Sequence, residues 1–184
     1  MTEEEYVGPG PAKSFWGDAA RAGGVLGLVI AAFAFAVQYM GFGERSDGVA
    51  GMFNLAAAAI TIWVYGRQRA IRYADRGFSF GNSLGYTLAM MLFAGFLFGV
   101  GQWVIFTWII PEQYALTVAQ AVEKSRVLLE SFPTEQTDAA IAMAKKLSTN
   151  PLYIIFTYMI YMEVNGLLVG VLAALLLRTE ARKQ

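Results

Sequence analysis

The sequence predicts an all-α integral membrane protein, a four-helix bundle with two short amphipathic helices in the loop between spans three and four. Three observations predict it. Apolar residues make up 57% of the 184-residue chain and charged residues only 15%, outside the range of ordinary soluble domains. Four stretches supply the roughly 20 apolar residues needed to cross a hydrocarbon core about 30 Å thick. Each of them also carries small residues at helical spacing, and helices in lipid associate where such residues let backbones approach.

Residues 1–21 begin acidic and then turn rich in glycine and proline, unlike the basic start and short apolar core of a cleavable signal. They are expected to form a flexible cytoplasmic tail, followed by a membrane domain over 22–178 and a second short tail at 179–184. The first span is predicted at about 23–41, and the second at about 49–66 after a short polar turn. The third covers about 83–110 and is stopped by Pro111; at the usual helical rise it is longer than the bilayer requires. The fourth covers about 151–177.

Lys and Arg set the direction of these spans. The N-terminal tail, the link RQRAIRYADRG between spans two and three, and the C-terminal end hold nine of the 14 basic residues. The opposite side holds five, spread over a greater length and offset by acids. Both termini are therefore expected in the cytoplasm. The arginine link is expected to continue a helix and to touch anionic headgroups.

Residues 112–150 form the one sizeable segment outside the spans. Tyr114, Val118, Ala121, Val122, Leu129 and Phe132 recur at helical spacing, which predicts an amphipathic helix. A shorter second helix follows, with Thr134 as cap, Glu135 and Asp138 in its first turn, and Lys145 and Lys146 in its last. The pair caps the bundle, lies at the interface or docks a protein partner.

Several function classes are excluded. Net charge is zero, with 14 basic and 14 acidic residues, so nucleic acid is not an expected partner. The chain has no cysteine and no histidine, which removes disulfides, thiolate chemistry, Ser-His-Asp triads and most zinc sites. Every aspartate lies outside the predicted spans and Glu163 is the lone acid within them, so no acid pair is available for hydrolysis. No catalytic residue, metal or cofactor is expected, and the chain is not expected to be an enzyme.

Glu163 is the residue that stands out. It sits mid-span, three residues before Gly166 on a face that continues through Gly170 and Ala174. In the third span Gly95 and Gly99 are followed at the same phase by Gln102, and the second span carries Asn54 on its small-residue face. Counting inward from Pro151 and Pro111 at about 1.5 Å per residue puts Glu163 roughly 18 Å deep and Gln102 roughly 13 Å. Glu163, Gln102 and Asn54 are therefore expected to form an intramembrane polar site, with Gly95, Gly99, Gly166 and Gly170 as the packing seam. No Lys or Arg lies within the predicted spans, so a neutral acid donating a hydrogen bond is the expected resting form. Insertion survives this group. A central acid costs about 3 kcal/mol, against roughly 0.3 to 0.6 kcal/mol gained from each of the span's 14 Leu, Ile, Val and Phe residues.

The order of features, with the basic link leading into RGFSFGNSLGYTLAM, a third span closed by WIIPEQY, a helical loop containing LLESFPTEQTDAA and a Gly-rich last span, resembles the bacterial membrane family known as domain of unknown function 4199. The likeness covers about residues 20–180 and rests on Gly77, Ser79, Phe80, Gly85 and the layout. It implies a multi-span fold in a bacterial inner membrane and supplies no catalytic residue. Two functions are carried forward. The first is a non-enzymatic structural or accessory subunit of an envelope complex that contacts its partner through 112–150. The alternative is a small proton-coupled transporter with Glu163 as coupling acid, which calls for a homo-oligomer because four helices enclose little space.

Overall fold

The computed structural model describes residues 15–40, 47–72, 78–128 and 134–177. The expectations for tail residues 1–14 and 178–184, for the turn at 41–46, for the remainder of the link at 73–77 and for Leu129 and Phe132 of the first loop helix fall outside them, as do the side chains at 134–136. The described residues are helical nearly throughout: α1 Phe15–Tyr39, α2 Asp47–Arg72, α3 Phe80–Val104, α4 Pro111–Leu128, α5 Thr134–Ser148 and α6 Pro151–Leu177. Four of these, α1, α2, α6 and α3 with its continuation to Ile109, are long and apolar enough to cross a membrane.

Element ends follow local chemistry. Ser79 caps α3, its hydroxyl accepting from the Asn82 amide at 3.2 Å. Asn150 caps α6, its side-chain oxygen accepting from the Leu152 and Tyr153 amides at 2.9 and 3.4 Å, and Pro151 takes the first helical position, where the missing N–H costs nothing. Past Val104 the third span widens into a π-helical turn, Ile105–Ile109, whose Ile110 amide reaches back to Ile105 at 3.0 Å. Pro111 then ends that helix and starts α4.

The helix α1 starts earlier than the sequence reading allows, because residues 15–21, expected in a flexible tail, are helical. The reason is tertiary. Phe15 lies edge-on to Tyr86 and Trp16 to Phe93, and Asp18 pairs with arginines of α2. At its other end α2 continues helically through Arg69 and Arg72, as expected of the arginine link.

The third span is the centre of the bundle. Half of its apolar window is buried, against 11% for α2, which leaves α2 the most peripheral span. On one side α3 packs parallel to α1: a Cβ on Gly23 would fall 2.8 Å from the Phe93 Cβ, one on Gly27 2.7 Å from the Ala94 carbonyl oxygen, and one on Gly101 2.8 Å from the Ala31 Cβ. On the other side it packs antiparallel to α6. A Cβ on Gly95 would lie 2.7 Å from Met159 Cα and one on Gly99 2.8 Å from Ile155 Cα. Reciprocally, Gly166 sits against Met91 and Gly170 against Thr87. At Gly95 and Gly99 the neighbour is backbone, so the two helices come closer there than a side chain allows, whereas Gly166 and Gly170 make room for the side chains of Met91 and Thr87. The helix α2 closes the ring between α1 and α6, placing Ala58 and Ile62 in the core with Leu26, Met90 and Met162.

Candidate functional site

Glu163, Gln102 and Asn54 do not form a bonded site. Gln102 and Asn54 are buried, whereas Glu163 is half-buried at the edge of the α3–α6 seam. Among the described residues no side-chain hydrogen bond joins any two of the three. The seam register explains the separation. Gly99 lies opposite Ile155 and Gly95 opposite Met159 and Met162, so Glu163 stands at the level between Met91 and Gly95. Gln102 is one turn beyond Gly99, which places it roughly 13 Å from Glu163 along the seam. Counting from the two prolines assumes that they lie at one depth, but the third span runs about two turns past the start of α6 before Pro111 appears. The glycines Gly95, Gly99, Gly166 and Gly170 do line one seam.

A polar assembly that the sequence reading did not anticipate lies at the opposite end, where α1 begins and α2 ends. The Asp18 Oδ2 accepts from Arg69 and from Arg72, each at 3.0 Å. The Arg69 side chain is 7% exposed and the Asp18 side chain 10%, whereas Arg72 is open to its surroundings. The Arg69 guanidinium also faces two rings, with its carbon 5.1 Å from the Phe15 centroid and 5.0 Å from that of Tyr86. The Tyr86 hydroxyl reaches the Asp18 carbonyl at 3.5 Å. One carboxylate of α1 thus ties down two arginines of α2, Arg69 against an aromatic wall shared by α1 and α3 and Arg72 in the open. The sequence holds a trace of it: Asp18 in the first turn of α1 and Arg69 and Arg72 in the last turn of α2 are each placed where the helix dipole favours them, and antiparallel spans bring those ends level.

Beside this assembly opens a cavity of about 250 Å³ lined by Asp18, Arg21, Tyr65, Gln68, Arg72 and Tyr86. At the far end of the bundle, α4 and α5 pack on each other, with α4 touching the π-turn and α5 the start of α6. The Tyr114 ring stacks on Phe106 at 4.2 Å and its hydroxyl donates to the Ser148 carbonyl at 2.8 Å. Burial, and after it the neighbouring Tyr153, pushes the Tyr114 hydroxyl above its ordinary value of 10.0. Between this hairpin and the spans runs an apolar groove of about 520 Å³, whose walls include Phe106, Tyr114, Val118, Val122 and Ile154, with Lys145 at the edge. Among the described residues no three Asp, Glu, His or Cys side chains gather closely enough to hold a metal ion.

No curated protein and no solved structure matches the chain. Residues 21–179 match the family described as protein of unknown function (DUF4199), a stretch that takes in all of α2 to α6 and most of α1. The match covers most of the chain, which therefore belongs to the DUF4199 family of proteins of unknown function, and its four long apolar helices are those of a multi-pass membrane protein.

Proposed function

We propose that this protein is a non-enzymatic accessory subunit of a membrane complex and that the hairpin of α4 and α5 receives its partner. The observation that supports this reading is the groove. It is apolar, lies between the hairpin and the ends of the third and fourth spans, and is walled in part by a hairpin whose Leu116, Val127 and Met143 are also exposed. Apolar surface gathered in this way favours a protein contact. The basic residues favour both termini in the cytoplasm, and the family likeness a bacterial cytoplasmic membrane, which turns the hairpin toward the envelope.

The partner expected is a membrane or envelope protein that lays an apolar helix along Val118 and Val122, with acidic groups toward Lys145 and Lys146. Purification from native membranes in mild detergent, followed by identification of co-eluting chains, tests it. A partner that accompanies the wild type and is lost with V118D supports the reading. Elution alone, or the same companions with V118D, rejects it.

A second reading, proton coupling through Glu163, is favoured by one observation: a half-buried acid in mid-span with no hydrogen-bonding side chain among the described residues. Transport that is unchanged by E163Q in reconstituted vesicles would eliminate it.

A further inference from the structure

We propose that the cavity between the start of α1 and the end of α2 is a phosphate site, and that the phosphate it takes is the headgroup of an anionic phospholipid. The chemistry is that of the side chains. Arg21, Arg69 and Arg72 set three positive charges against the single carboxylate of Asp18. Arg69 does not line the cavity but is used up beside it, bonded to Asp18 and facing the Phe15 and Tyr86 rings. Arg72 spends one nitrogen on Asp18 and keeps the rest of its fork toward the opening, with its side chain 46% exposed. Arg21, one turn after Asp18 on α1, is exposed and makes no ion pair among the described residues.

Two guanidinium groups from different helices therefore border one opening, with the Gln68 side-chain amide as a further donor. Planar forks of this kind match phosphate oxygens in pairs, where an ammonium would offer only a point charge. Asp18 does more than neutralise. By fixing the position of Arg72 it lowers the entropy that a phosphate must otherwise remove from a long side chain.

Location selects the lipid. The lining residues fall in the first two turns of α1, the last turns of α2 and the second turn of α3, the level at which three spans leave the hydrocarbon. Trp16, 59% exposed at the same level, is a residue type that settles at the headgroup layer. A phospholipid alongside α1 and α2 would bring its phosphate to the opening while its chains stay against the exposed apolar faces of both helices.

The test uses the full chain in detergent, titrated separately with phosphatidylglycerol, phosphatidylcholine and inorganic phosphate. Native mass spectrometry counts retained lipid and thermal unfolding reports stabilisation. Phosphatidylglycerol is expected to be retained over phosphatidylcholine and to raise the unfolding midpoint. R21Q and R72Q should each weaken that retention about fivefold, the worth of one basic side chain at an anionic surface, while R67Q, on an exposed position outside the cavity, leaves it unchanged. Should R72Q fold poorly, R21Q decides the matter, since Arg21 supports no ion pair. An equal loss in R67Q, or undiminished preference in R21Q and R72Q, overturns the site. Inorganic phosphate giving the same arginine-dependent stabilisation without lipid overturns the assignment to a headgroup.

Discussion

Asp18 and Arg69, 51 residues apart in the chain, meet at 3.0 Å with both side chains almost wholly enclosed. This contact joins the first two spans at the end where the bundle would otherwise splay, and it positions Arg72 on the same oxygen.

Removing the carboxylate leaves the Arg69 guanidinium enclosed beside two rings without its anion. D18N is therefore expected to destabilise the bundle by about 3–5 kcal/mol. R72Q, which removes the exposed partner, should cost no more than about 1 kcal/mol. Unfolding in mixed detergent micelles measures both. Equal effects from the two substitutions would show that the enclosed pair is not the anchor.

The glycines divide by what surrounds them. A Cβ on Gly99 meets the Ile155 backbone at 2.8 Å, and backbone cannot step aside. G99A should lower stability by about 1–3 kcal/mol. On Gly66 the same atom meets only the Leu177 Cδ1, which can rotate, and on Gly51 it meets nothing within 4 Å. Both G66A and G51A are expected to stay within about 0.5 kcal/mol of the wild type, or to gain slightly from the better helix former.

The seam register predicts a crosslinking pattern, and the chain's lack of cysteine gives a clean background. A Cβ at position 170 lies 3.3 Å from the Thr87 Cβ, close to the separation that a disulfide spans. T87C with G170C should oxidise to a crosslinked species that runs faster on a denaturing gel. Q102C with E163C should not, being separated by about two turns of helix. Crosslinking of the second pair would mean that α6 slides along α3.

Tyr114 gives the hairpin a pH dependence. Its folded hydroxyl holds the proton more tightly than an exposed tyrosine does, so its contribution is fully present below about pH 10 and is lost as pH rises through the higher folded value. Above that window the phenolate can no longer donate to the Ser148 carbonyl. Protection factors in α4 and α5, with the base-catalysed intrinsic exchange rate divided out, are expected to fall there in the wild type. In Y114F, which lacks the bond already, protection should be lower at neutral pH and nearly flat across the same range.

The sequence by itself determined the four spans, the two loop helices, the stop at Pro111 and the small-residue seam, because each depends on residues within a few turns of one another. Apolar length answers to bilayer thickness, and a proline without an N–H acts where it stands. Glycines four residues apart share a helix face whatever lies opposite. Tertiary structure alone decided which level of one helix faces which level of the next. It set Glu163 and Gln102 apart, since their relative depth depends on how far the third span continues past the start of α6. It drew residues 15–21 into α1, because the partners of Phe15 and Asp18 lie on α2 and α3, and it brought Asp18, Arg69 and Arg72 to one point and opened the groove beneath the hairpin. Contacts between segments fifty residues apart are fixed by packing, which local periodicity does not encode.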